Sequence, residues 1–214
     1  MARRTKEDAQ ATREGILDAA EDCFRENGLS GTSLEAIAAA AGVTRGAVYW
    51  HFKNKAEVLD AVINRVSVPF FHGLERVSRA DGTTPLLDLR EMLRQSFADL
   101  MHTPRVRAAL EVIELRCEIR AEDDTINVLR KAGMRKTHER ITAAFRRAAT
   151  LDQLREGLGA ESCARSLHFI ISGALRMHLV DPEGVDLESD GLAAVDLALR
   201  AMARDPSQFD AAVR

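Results

Sequence analysis

Between Thr32 and Asn54 the chain carries three helix-start signals with a glycine stop between the first two. Thr32-Ser33-Leu34-Glu35 has capping-box form, with Thr32 able to accept from the Glu35 amide and Glu35 able to reach back. Thr44 is a second cap, and Asn54 with Glu57 three residues later is a third. Gly42 interrupts the helix opened by the first signal. Such punctuation forbids one long helix and dictates two short ones, the second running from Arg45 to about His51. A longer helix precedes them, starting between Thr5 and Asp8 and ending at Asn27-Gly28. Its apolar stripe is Ile16, Leu17, Ala20, Cys23 and Phe24. Short helices joined by Ala41-Gly42-Val43-Thr44 make a helix-turn-helix, with Arg45–His51 as the recognition helix. A generic small helical bundle is the alternative on spacing alone.

The remainder of the chain is also helical in pattern. Aromatic residues are 5% of 214 while hydrophobic residues reach 46%, and Ala, Leu, Arg and Glu outnumber strand formers. A long helix starts at Asn54 and runs toward Val77. Beyond Gly82-Thr83-Thr84-Pro85, further helices are expected at about 85–101, 104–119, 123–149, 160–180 and 190–204, making about nine in all. The expected fold is all-α, with a DNA-binding head at 1–55 and a larger bundle at 56–214. The boundary falls inside the long helix, so the two parts are mechanically joined. No apolar run approaches the ~20 residues of a membrane span, and the N-terminus has no signal-peptide pattern. Cys23, Cys117 and Cys163 are odd in number and widely spaced, which supports neither a disulfide framework nor a metal cluster. The expectation is a reduced, cytoplasmic protein.

Net charge is −3, which excludes a uniformly basic nucleic-acid binder. Its distribution points elsewhere. Ala36 to Ala56 contains no Asp or Glu, where average composition would place about three. The same window holds Arg45, His51, Lys53 and Lys55, a local positive patch on an otherwise acidic body.

The run Thr32-Ser33-Leu34-Glu35-Ala36-Ile37-Ala38, continued by Ala41-Gly42-Val43-Thr44-Arg45-Gly46-Ala47-Val48-Tyr49-Trp50-His51-Phe52-Lys53-Asn54-Lys55, resembles the TetR family of bacterial transcriptional regulators. With Met1-Ala2-Arg3-Arg4-Thr5-Lys6 it is most similar to the AcrR-like branch, repressors of multidrug efflux pumps. The motif covers about a quarter of the chain. The resemblance implies a dimer on a palindromic double-stranded operator, released by a small hydrophobic or aromatic inducer. It also implies a DNA face of Thr32, Ser33, Thr44, Arg45, Gly46, Ala47, Tyr49, His51 and Lys55. Arg45 can present a fork to guanine O6 and N7. Gly46 and Ala47 are small enough for close approach to base edges. Tyr49 and Thr44 can reach backbone oxygens, and Lys55 adds charge to the first turn of the long helix. Trp50 is expected to pack partly against the first helix. Arg3, Arg4 and Lys6 could follow the duplex as a basic tail.

Apolar stripes in the larger block are interrupted by polar residues, the pattern of a drug-sized cavity with a few orienting groups. Its expected lining is Val66, Phe70, Leu89, Met92, Leu93, Ser96, Leu110, Ile113, Glu114, Thr137, Ile141, His168, Ile171, Ser172 and Leu175. Residue by residue, a satisfied core position is the alternative. Helix 104–119 is apolar on two faces, including Cys117 and Ile119, so it belongs in the middle of a bundle. Pro69 should bend the long helix beside the cavity. A second set, Ile170, Gly173, Ala174 and Met177 with Leu192, Val195, Leu199 and Met202, fits the four-helix dimer interface that the family resemblance implies.

Enzyme readings find little support. There is no Gly-rich phosphate loop, paired-Cys motif or His-Glu-x-x-His helix, so no catalytic residue, cofactor or metal is expected. Two other readings stand beside efflux control: a TetR-like repressor of a catabolic or lipid-metabolism operon, and a helical ligand-binding protein without DNA activity.

Overall fold

The computed structural model describes residues 6–79, 82–116 and 124–210. Within them the chain forms α1 (Lys6–Gly31), α2 (Leu34–Ala40), α3 (Arg45–His51), α4 (Lys55–Arg79), α5 (Pro85–His102), α6 (Pro104–Glu111), α7 (Asp124–Thr150), α8 (Ala160–Val180) and α9 (Leu192–Met202). Single π-helical turns extend α6 over Val112–Arg116 and precede α9 at Leu187–Gly191. No described helix is long and apolar enough to cross a membrane. Arg3, Arg4, Cys117 and Ile119 lie outside the described residues.

Local chemistry accounts for the ends of the short helices. Gly28 leaves the helical region with φ 69° and breaks α1 where the sequence marks a stop. At the end of α2, the Val43 amide donates to the Ala38 carbonyl and the Gly42 amide to the Ala39 carbonyl, at 3.0 and 3.2 Å. This double closure requires the first donor, Gly42, to take positive φ, and it does so at 64°. Thr44 Oγ1 accepts from the Ala47 amide at 3.2 Å and opens α3. Asn54 Oδ1 accepts from the Glu57 amide at 2.9 Å, and Glu57 Oε2 accepts from the Lys53 amide at 2.8 Å. The first cap differs from expectation by one residue. Ser33 Oγ, not Thr32, accepts at the start of α2, from the Ala36 amide at 3.1 Å.

Two compact units divide at Ser67/Val68. One runs to Ser67 and takes in Arg105–Leu129; the other holds Val68–Pro104 and Arg130–Arg214. The first unit thus extends past residue 55, for a packing reason. Val58, Leu59 and Val62 of α4 are fully buried with Ile16, Leu17 and Phe24 of α1, Ile37 of α2 and Val48 of α3. Ala109 and Val112 join the same core. Burying Phe24 alone is worth roughly 2–3 kcal/mol. Polar contacts follow the same seam. Arg65 on α4 reaches Glu14, Asp18 and Glu21 on α1 at 3.0, 2.6 and 2.9 Å, and Arg105 on α6 pairs with Asp18 and Glu21.

In the second unit, Leu86, Leu89 and Leu93 of α5 are buried, as are Phe145 of α7, Leu167 of α8, and Val195 and Leu199 of α9. α4 continues through Pro69 as one helix to Arg79. Arg90 crosses from α5 to Asp196 of α9.

Candidate nucleic-acid interface

Capping and turn chemistry leave one side of α3 open to solvent. Ser33, Thr44, Arg45, Gly46, Tyr49 and Trp50 are exposed, while Ala47 and His51 are half-buried. Val48, and Phe52 just past the helix, face inward and anchor α3 to the head core. Arg13 of α1 covers Phe52, its guanidinium 5.2 Å from the ring centre. The exposed side carries small residues beside a cation and two amphipathic rings, which suits close approach to a groove.

Arg45 does not wave freely. Its Nε lies 3.0 Å from Glu35 Oε1 on α2, and its guanidinium carbon sits 5.2 Å from the Tyr49 ring centre. The Tyr49 hydroxyl lies 3.5 Å from Nη2. That hydroxyl and the Glu35 carboxylate raise the guanidinium's already high pKa, so the cation is permanent. Trp50 is 73% exposed, its ring edge-on to His51 at 4.5 Å. It belongs to the open face and not to the packing against α1 expected of it. Its apolar bulk gives no sequence signal for exposure; only the position of Val48, two residues earlier on the inward side, could have indicated it.

Two expected DNA contacts have other work. Thr32 is 3% exposed, and its hydroxyl is shared between the carbonyls of Gly28 at 2.8 Å and Cys23 at 3.0 Å. It closes the broken end of α1 and cannot face a duplex. Lys55 turns inward as well: its ammonium donates to the Leu29 carbonyl at 2.6 Å and the Thr32 carbonyl at 2.9 Å. The chain leaves α1 there: the Leu29 carbonyl otherwise accepts only a long bond from the Thr32 amide, at 3.4 Å, and the lysine completes both carbonyls. The positive patch read from Ala36 to Ala56 therefore loses Lys55 to the fold and faces Glu35 across Arg45.

The expected cavity residues fall in both units. Val66, Leu110, Ile113 and Glu114 belong to the first, with Val66 in its core. In the second, Leu89, Met92, Leu93, Ile141 and Ile171 are buried, while Phe70, Ser96, Thr137, His168 and Leu175 are half-buried. Ser96 Oγ donates to the Met92 carbonyl at 2.8 Å, the core alternative for that residue. Ser172 is exposed, which removes it from any interior lining. His168 stacks nearly parallel on His138 with ring centres 6.0 Å apart, and burial followed by that neighbouring imidazole holds its pKa below the usual histidine range.

The expected dimer stripe on α9 is corrected. Val195 and Leu199 are fully buried and Met202 nearly so, because this face packs inside the protomer; Leu192 is half-buried. The opposite face carries Leu197, 72% exposed. On α8, Gly173 and Met177 are exposed with Phe169 and Val180, while Ile170 and Ala174 are half-buried. Phe169, Gly173, Met177 and Val180 recur at helical spacing, an apolar stripe open to solvent.

Comparison with known proteins places this geometry. Residues 16–62 match the family described as bacterial regulatory proteins, tetR family. Residues 84–204 match the MAATS-type transcriptional repressor, C-terminal region. The HTH-type transcriptional regulator TtgR of Pseudomonas putida is 36% identical over 97% of this chain and 99% of its own. Among solved structures, SmeT, the repressor of the Stenotrophomonas maltophilia multidrug efflux pump SmeDEF, is 47% identical with a TM-score of 0.82, covering 92% of this chain and 93% of that one. A SmeT–triclosan complex gives 0.87 at the same identity and coverage.

Proposed function

The chain belongs to the tetR family of bacterial regulatory proteins, and on that premise we propose that it is a cytoplasmic repressor of a multidrug efflux pump operon, released from its operator by small hydrophobic or aromatic compounds. The observation that carries this reading is the reach of the similarity. At 47% identity it runs over 92% of the chain, beyond the head and through the block that would sense the ligand, in a protein described as an efflux-pump repressor. A helix-turn-helix alone would support DNA binding and nothing about the regulated genes.

One recognition helix reads too few base pairs for useful specificity, so a dimer on a two-fold operator follows from the size of α3. Phe169, Gly173, Met177 and Val180 of α8, with Leu197 of α9, are the surface that supports such a dimer. Arg45, Tyr49 and Trp50 would enter the major groove, with Ser33 and Thr44 near the phosphates and Gly46 and Ala47 permitting close approach. Within the second unit, Phe70, Met92, Thr137 and His168 remain the residues suited to an aromatic inducer. A ligand that binds better to the arrangement DNA does not favour would release the operator by linkage.

The test is a gel shift with DNA from upstream of the chain's own gene and of any neighbouring pump operon, titrated with triclosan. Retarded DNA that is freed by the compound is the expected result. Binding to neither fragment would overturn DNA recognition, and binding indifferent to triclosan and to a panel of aromatic antibiotics and dyes would overturn the efflux reading.

A further inference from the structure

Glu35 is an acid in the face where a repressor meets a polyanion, and it is the residue that grips Arg45. Its Oε1 lies 3.0 Å from Arg45 Nε, both side chains remaining about half or more exposed, at 48% and 66%. A carboxylate here repels phosphate and weakens all DNA binding, so its presence calls for a compensating role. The fold brings the two together across the turn: Glu35 stands in the first turn of α2, and Arg45 opens α3. Between them the Val43 and Gly42 amides close on α2 carbonyls, which makes the spacing of the two helices a rigid one.

We propose that Glu35 is a positioning residue that sets the base preference of Arg45. A guanidinium can offer guanine either its Nε/Nη edge or its Nη1/Nη2 end. With Nε held by Glu35, the end-on fork is left, Nη2 keeping a second N–H besides the one given to the Tyr49 hydroxyl. The ring of Tyr49, 5.2 Å from the guanidinium carbon, is a second contact on the same group. An exposed arginine would otherwise lose rotamer freedom on binding, and a clamped one has already lost it. Glu35 thus trades general affinity, through repulsion, for discrimination, through a pre-set donor pair. This inference rests on the DNA-binding reading of α3.

The experiment compares the full chain with its Glu35→Ala and Glu35→Gln variants, each alone and with Arg45→Ala, on operator and scrambled duplexes at several salt concentrations. Wild type must first prefer operator, and equal binding to both duplexes would instead defeat the DNA-reading premise. Both variants remove the repulsion, so both should bind scrambled DNA more tightly. Gln keeps an oxygen for Arg45 Nε and should retain most of the operator preference. Ala should lose at least about fivefold of it per half-site, at the base pair that Arg45→Ala also relaxes. In the Arg45→Ala background, Glu35→Ala should change no preference further. Equal gains on both duplexes for Ala and Gln alike, or an undiminished Glu35→Ala effect without Arg45, would overturn the proposal.

Discussion

Arg90 and Asp196 meet through two parallel hydrogen bonds, Nε to Oδ1 at 2.6 Å and Nη2 to Oδ2 at 2.9 Å, with the guanidinium side chain only 5% exposed. Two parallel bonds give the pair a fixed geometry that ties α5 to α9. Removing one partner strands the other as an uncompensated charge in a low-dielectric site. Arg90→Met should cost about 3 kcal/mol of stability in a urea titration. Arg90→Met combined with Asp196→Leu should recover a substantial part of that loss. A double variant as unstable as the single one would show that the charge pair is not what the site needs.

Arg45 and Lys55 are both basic, and the structure gives them opposite behaviour. Arg45→Ala should leave the urea midpoint unchanged and weaken operator binding by roughly 1–3 kcal/mol per half-site. Lys55→Ala removes the ammonium that the Leu29 and Thr32 carbonyls accept from and should cost about 1–3 kcal/mol of folding stability. Fluorescence anisotropy and denaturation on the same preparations separate the two. A stable Lys55→Ala protein with flattened salt dependence would return the lysine to the DNA face.

The two leucines of α9 provide a similar contrast. Leu197→Glu should give a monomer with native helical circular dichroism and weak operator binding. Leu199→Glu places a carboxylate inside the protomer and should destabilise folding by several kcal/mol. Sedimentation velocity with thermal melting distinguishes these outcomes. A Leu197→Glu protein that stays dimeric would move the interface away from this face.

The histidine stack gives a pH dependence. His168 has a folded-state pKa held down, first by burial and then by His138. The unfolded chain therefore takes up the proton more readily than the native one, and stability falls as pH falls. The contribution is complete above the ordinary histidine value of about 6.5 and is lost as pH drops through the depressed native value. Melting temperatures between pH 7.5 and 5 should decline, and His168→Phe should flatten the slope. An unchanged slope in the variant would assign the decline to other groups.

Sequence alone determined the elements whose partners lie within a turn of one another. Thr44 caps Ala47, Asn54 caps Glu57, and Gly42 takes the positive φ that ends α2, each interaction spanning only a few residues. Those local bonds fix where short helices begin and end, and with them the helix-turn-helix. Burial was another matter. Thr32 and Ser33 are adjacent and chemically alike, yet one closes α1 onto Cys23 and Gly28 while the other caps α2. Leu197 and Leu199 lie on one amphipathic helix, and which is covered depends on what packs against it. Lys55 finds its carbonyls 26 and 23 positions back along the chain, and Arg90 finds its carboxylate 106 positions ahead. A side chain's exposure is set by the segments that fold over it. Periodicity in one helix carries the existence of an apolar face, and only the packed tertiary structure decides whether that face meets its own core or the solvent.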